Sequence, residues 1–176
     1  MFVLYNILLL AIVALCLPLI LAQIMSSQKR PNDMTARLRS RGFADKSNSR
    51  PVWVHALSVG EVLASIPLVQ ELRKRCGPQS IVLSVSTIAG HEVAKKSLQP
   101  YVADIFFFPY DLIWSVRKVI RSVKPALFIL VESDIWPNFT YEMKRRGVPF
   151  VLVNARMRSE ERRVGKECRS RWSPYH

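Results

Sequence analysis

Cysteine is scarce, with Cys16, Cys76 and Cys168 among 176 residues. They are scattered and odd in number, which excludes a disulfide scaffold, and their spacing matches no metal-ligand motif. Acidic residues are also few, 13 against 26 Lys+Arg, for a formal net charge of +13. No charged side chain occurs in residues 1–28. The chain lacks a G-x-G-x-x-G run, which disfavours a dinucleotide, and it has neither a Walker loop nor a serine set in a nucleophile elbow. What it does have is 49% hydrophobic residues, too many for a disordered or low-complexity chain. The length suits a single domain, and the positive surplus implies an anionic partner: nucleic acid, a phosphorylated substrate or an acidic membrane surface.

Where the charges sit narrows that choice. Phe2–Ile24 is interrupted only by Asn6, Pro18 and Gln23, and about 20 apolar residues suffice for a membrane-spanning helix. Lys29, Arg30, Arg37, Arg39 and Arg41 follow at once. The positive-inside rule then places the rest of the chain in the cytoplasm. A cleaved signal peptide needs its basic residues before the apolar run, and here they come after it. The expectation is a transmembrane anchor at 1–28 and a basic juxtamembrane linker at 29–50 that meets anionic lipid heads.

From Pro51 onward, apolar strands alternate with helical patterns. Strands are expected at Val52–Leu57, Ile81–Val85, Asp104–Phe108, Ala126–Val131 and Val148–Val153. Helices are expected at Gly60–Cys76, Gly90–Leu98, Leu112–Val123 and about Trp136–Arg146. Strands that are apolar throughout belong to a parallel sheet covered on both faces. The fold class is therefore α/β, a Rossmann-like domain over residues 51–157.

Open parallel sheets bind ligands beyond the carboxyl ends of their strands. The segments there are Ser58-Val59-Gly60-Glu61, Ser86–Gly90, Pro109-Tyr110-Asp111, Glu132–Asn138 and Asn154-Ala155-Arg156. Small, polar and acidic residues collect at this edge, while the opposite edge carries Lys/Arg-rich helix ends. Ser58-x-x-Glu61 reads as a capping box, with Ser58 capping the helix and Glu61 reaching back to its amide. It reads equally as a general base at a helix N-terminus, held ionised by the helix dipole beside a glycine that lets substrate approach. Glu132, directly at a strand end, is open between a site and a solvent role. Asp134 fits an N-cap ahead of Trp136-Pro137, and Asn138 a first-turn helix residue. His55, inside an apolar strand, reads as a core histidine, and Trp136 as a core or rim aromatic. Thr87 and Gly90 form a weak phosphate-type helix start. No residues show metal-ligand spacing, and the basic helix ends Arg73–Arg75 and Lys144–Arg146 suit a solvated face better than nucleic acid.

The anchor followed by VWVHALSVGE (52–61), PYDL (109–112), VESDIWPN (131–138) and VNARM (153–157), in that order, resembles the N-terminal half of the 3-deoxy-D-manno-octulosonic acid (Kdo) transferases. The resemblance implies the first Rossmann-like domain of a GT-B glycosyltransferase on the cytoplasmic face of the bacterial inner membrane. It implies metal-independent, inverting transfer of Kdo from CMP-Kdo to a lipid A precursor, without a cofactor. Glu61 falls on the catalytic base and Glu132 on the residue that supports the transition state. Ser58, Gly60, Asp134, Asn138 and Arg156 are the expected substrate contacts. The loop after the second strand departs from the family, keeping only Gly90 of its usual ending. CMP-Kdo is expected to bind mainly through a C-terminal domain that this chain lacks. Two other readings remain: a non-catalytic, membrane-anchored module that binds lipid or sugar, and another GT-B sugar enzyme.

Residues 158–176 depart from the preceding pattern, with nine of 19 residues charged. From Ser159 they read like a translated sequencing adapter, so a non-native tail is expected. The competing reading is a short basic amphipathic helix built on Val164, Cys168, Trp172 and Tyr175.

Overall fold

The computed structural model describes residues 5, 7–9, 11–16, 50–77, 80–132 and 136–153. Most of the expected anchor, the linker up to residue 49, Asp134, Arg156 and the 158–176 segment lie outside them. Residues 5, 7–9 and 11–16 are helical. Among the described residues no helix is long and apolar enough to cross a membrane.

The body is a five-stranded parallel sheet with helices on both faces. Its strands are β1 (Val52–Ala56), β2 (Ile81–Val85), β3 (Asp104–Phe107), β4 (Leu127–Val131) and β5 (Phe150–Val153). The helices are α1 (Val59–Cys76), α2 (Ile88–Leu98), α3 (Ile113–Val123) and α4 (Pro137–Arg145), with a 3-10 turn at Gln99–Tyr101. Within residues 51–153 every expected strand and helix is present. The observed ends differ from expectation by one or two residues at most, because caps and bends rather than hydrophobicity set them.

Strand order is β3-β2-β1-β4-β5, with all pairs parallel. The chain thus steps outward from β1 on one side, then returns to β4 and steps outward on the other. The reversal leaves a topological switch point between β1 and β4, whose ends are in register at Ala56 and Val131. Such a point opens a crevice, because the two connections leave the sheet in opposite directions.

Side-chain alternation divides the core. Trp53, Val82, Phe106, Phe128 and Leu130 face one side, where Val116, Val119, Ile120 and Val123 of α3 and Phe139 and Met143 of α4 cover them. Val54, Ala56, Ile81, Leu83, Ile129 and Val131 face the other, under Val62 and Val69 of α1 and Ala94 and Leu98 of α2. A strand buried on both faces needs apolar residues at successive positions, which is why the sequence shows runs and not alternation. Trp53 anchors the first core, with ring centroids 5.2 Å from Phe139, 5.3 Å from Phe128 and 5.4 Å from Phe106. Its Nε1 donates to Ser84 Oγ at 2.7 Å, which satisfies the one polar atom that the indole would otherwise bury unpaired. His55 is wholly buried with Nδ1 2.9 Å from the same hydroxyl, a core histidine as its sequence context implied.

Candidate active site

β1 ends at Ala56, and α1 begins three residues later at Val59. So short a turn puts Glu61, in the first turn of α1, directly over the end of β1. The capping box forms differently from expectation. Ser58 occupies the N-cap position but makes no side-chain cap bond. Its hydroxyl donates instead to Glu61 Oε1 at 3.2 Å, and Glu61 Oε2 accepts from the Leu57 amide in addition to the expected interaction with the Ser58 amide. The carboxylate is thus oriented by donors from its own turn, the Leu57 amide and the hydroxyl and amide of Ser58.

Glu61 is only 6% exposed. Burial raises its pKa above the ordinary glutamate value, the Leu57 and Ser58 hydrogen bonds pull it back, and the Glu132 charge pushes it up again. The net direction is upward. Lost hydration outweighs the hydrogen-bond donors, which is compatible with the expected helix-N-terminal base. A carboxylate raised in this way is a stronger base once ionised, which suits general-base work near neutral pH. Beside it, Gly60 is exposed, with open space where a side chain would stand.

Glu132 follows β4 directly and faces the same crevice end, since Val131 pairs in register with Ala56. Its backbone is left-handed, with φ 69°, and its amide donates to Val153 O at 2.9 Å. A non-glycine residue in this conformation is uncommon and is held there by its surroundings. The bend turns the chain out of the sheet at the strand end. The tertiary fold thereby unites Glu61 and Glu132, which lie 71 positions apart in the chain.

Asp111 is the residue whose role the sequence reading missed. It sits in the loop after β3, and its carboxylate accepts from the Asn138 amide at 3.0 Å and the Phe139 amide at 2.9 Å. Those are the second and third residues of α4, whose N–H groups have no partner within the helix. Asn138 answers by donating its Nδ2 to Asp111 O at 2.5 Å. The N-cap position of α4 is Trp136 and not the expected Asp134, and the capping carboxylate comes from another loop altogether. Asn138, an expected substrate contact, is wholly buried in this exchange. The PYDL and WPN motifs are therefore two halves of one hydrogen-bonded unit that fixes the start of α4. The signal was present in sequence, a lone Asp after a strand, but nothing local names a partner 27 residues away. Tyr5 Oη also donates to Asp111 Oδ2 at 3.1 Å, a contact that a membrane-spanning arrangement of residues 1–28 would have to give up. Burial raises the Asp111 pKa against these three donors.

Trp136 packs on Phe108, with ring centroids 5.3 Å apart, at the rim of the aromatic core. Thr87 caps α2 by accepting the Gly90 amide at 3.1 Å, so the weak phosphate-type signal is satisfied as a cap. A side chain at Gly90 would stand 3.3 Å from the Ser58 carbonyl carbon and 2.7 Å from Thr87 Oγ1. Glycine at this position therefore lets α2 close against the turn that carries Glu61. Among the described residues, no group of three or more His, Cys, Asp or Glu side chains forms a possible metal site.

Comparison with known proteins agrees with the motifs. Residues 34–175 match the family model described as 3-Deoxy-D-manno-octulosonic-acid transferase (kdotransferase). A 3-deoxy-D-manno-octulosonic acid transferase of Haemophilus influenzae is 34% identical over 161 residues, which cover 89% of this chain and 38% of the relative. The enzyme of that name from Chlamydophila psittaci is 33% identical over 60% of this chain and 24% of its own length. A bifunctional glycosyltransferase/methyltransferase of Fusobacterium nucleatum is 31% identical over 67% of this chain and 18% of its own length. The chain thus spans well under half the length of these curated relatives. With the family model matched over most of its residues, the chain belongs to the 3-deoxy-D-manno-octulosonic-acid transferase family.

Proposed function

We propose that this protein supplies the acceptor-binding half of a GT-B enzyme that transfers Kdo from CMP-Kdo to a lipid A precursor with inversion. The observation that carries the reading is the placement of Glu61: a buried carboxylate with a raised pKa, beside Gly60, at the switch point it shares with Glu132. In the proposed step Glu61 accepts the proton of an acceptor hydroxyl as that oxygen attacks the anomeric carbon of Kdo. The bond from that carbon to the CMP phosphate breaks on the opposite face, and CMP departs with the electron pair. Glu132 supports the positive charge that develops at the anomeric carbon. Ser58 orients the base through its hydrogen bond, and the open space over Gly60 admits the acceptor. Asp134 and Arg156 are proposed to contact substrate from the loops after β4 and β5. The donor is assigned to a second Rossmann-like domain, in keeping with the greater length of the relatives.

The reaction is assigned to the cytoplasmic face of the bacterial inner membrane. The uncharged run 1–28 serves as the anchor, and the basic segment 29–50 lies against anionic lipid. Support for this comes from the charge pattern alone.

The test is replacement of the Glu61 counterpart by Ala in a full-length family member. Kdo transfer should be abolished with membrane association unchanged, and near-normal transfer would overturn the assignment of the base. Lipid binding that ignores this substitution, without turnover when a donor-binding half is supplied, would favour a non-catalytic membrane module.

A further inference from the structure

At the amino-terminal edge of the sheet, opposite Glu61 and Glu132, a recess of about 300 Å³ is lined by Arg50, Ile120, Lys124, Pro125, Arg146 and Val148. Three of the six are cationic, and no carboxylate is among them. The backbone around the recess is pinned. The Ala126 amide donates to Pro51 O at 2.9 Å, the Lys124 amide to Ile120 O at 2.9 Å, and Arg50 Nη2 reaches Pro125 O at 3.5 Å. Lys124 ends α3 in a left-handed conformation, with φ 48°. Arg50 and Lys124 are therefore held at one recess by the junction of β1 with the turn before β4.

The carboxylate beside the recess is already committed. Glu142 is wholly buried and meets Arg117 at 2.7 Å, Arg145 at 3.1 Å and Arg146 at 3.6 Å. One negative charge thus serves three guanidiniums and leaves the neighbourhood strongly positive. Arg146 Nε is buried and has no hydrogen-bond partner among the described residues. Like charges beside the apolar walls of Ile120, Pro125 and Val148 repel more strongly than in open water, and an anion relieves that repulsion. Two guanidinium forks and one ammonium point charge form a donor set suited to a phosphate group.

We infer that this recess binds a phosphate-bearing anion, a phosphate ester with a small headgroup or free phosphate, at a site separate from the reaction centre. The volume is at the small end of ligand sites, which run from about 300 to 1,000 Å³, so it admits a phosphate with a compact substituent and not a nucleotide sugar. Arg50 closes the basic 29–50 segment, which places the recess where that segment enters the domain. Nothing in this inference depends on the reaction proposed at the other edge.

The test is isothermal titration of the full chain in a non-ionic detergent with two probes, pyrophosphate and dihexanoyl-phosphatidylglycerol. Saturable binding is expected, weakening as sodium chloride is raised. Binding of the lipid alone identifies a lipid headgroup as the source, binding of pyrophosphate alone a soluble phosphate, and binding of both a site that reads the phosphate itself. Lys124→Asn removes one charge while keeping a residue that tolerates the left-handed backbone. It should weaken binding roughly fivefold or more, as should Arg50→Gln, with circular dichroism unchanged. The proposal is overturned if neither probe binds saturably, or if both variants bind within twofold of the unsubstituted chain.

Discussion

The two edges of the sheet each bury a glutamate, and the two end with pKa shifts of opposite direction. Glu61 at the carboxyl edge is 6% exposed and Glu142 near the amino edge 0%. Burial raises both pKa values, yet Glu61 ends above the ordinary glutamate value and Glu142 below it. The difference lies in the neighbours. Glu61 has only neutral amides and a hydroxyl as donors and a second carboxylate nearby, whereas Glu142 faces Arg117 and Arg145, which overcome the cost of burial. A carboxylate neutralised by guanidiniums is a poor base and a good strut. One left short of positive partners is costly to keep ionised and therefore ready to take a proton.

The contrast is broken most sharply at Glu61. In a full-length enzyme, Glu61→Gln keeps the shape and one acceptor oxygen but removes the base. The turnover number should fall by about 100- to 10,000-fold, the usual contribution of a general base. A loss smaller than tenfold would mean that the carboxylate is a helix cap and no more.

Glu142→Ala tests the other edge, where the expected effect is on folding. Removing one partner of a buried ion pair costs about 3–5 kcal/mol when both partners are desolvated. Here Arg117 and Arg145 are 39% and 50% exposed, so water rehydrates part of the charge they keep. We expect a loss of about 2–3 kcal/mol in urea unfolding. An unchanged midpoint would show that the guanidiniums gain nothing from their shared carboxylate.

Between the two in position is Asp111, half-buried and devoted to the start of α4. Asp111→Ala should destabilise the protein by about 1–2 kcal/mol, the range for a lost helix cap. Asp111→Asn, which still offers one carbonyl oxygen, should recover part of that loss. If both variants unfold alike, the cross-loop carboxylate is not what holds the helix.

The smallest effect lies in the pH dependence of stability. Glu142, with a lowered folded value, contributes stability that is present above the ordinary carboxylate range and lost as pH falls through that lowered value. Glu61, with a raised folded value, contributes stability that is present below the ordinary range and lost as pH rises through the raised value. Glu61→Gln should therefore change little at about pH 4 and stabilise the fold progressively towards about pH 7. Denaturation midpoints measured across that interval should diverge upward for the variant. Curves that run parallel would remove the raised pKa from the argument.

The alternation of β and α elements was readable almost to the residue, because strands such as Ile81–Val85 are apolar on both faces and helices such as α1 end on a basic turn before a glycine. Those signals are local. Glu61 was readable too, since its turn is only a few residues long. Its ionisation was not, because the sign of the shift depends on how much water the packed fold removes. Asp111 passed unassigned and Asp134 was expected in its capping place, since capping rules look only to the adjacent residues and this cap crosses from the β3 loop to α4.

By itself, then, the sequence determined the class of the fold, the edge at which chemistry is possible and the family, because periodicity and contiguous motifs survive without knowledge of contacts. The tertiary structure decided which carboxylates meet, through the strand order that opens a crevice between β1 and β4. It also decided which of two buried glutamates has its pKa raised and which lowered, through the neighbours each one keeps. Both depend on residues far apart in the chain, and the energy of a buried charge is set by what surrounds it in space.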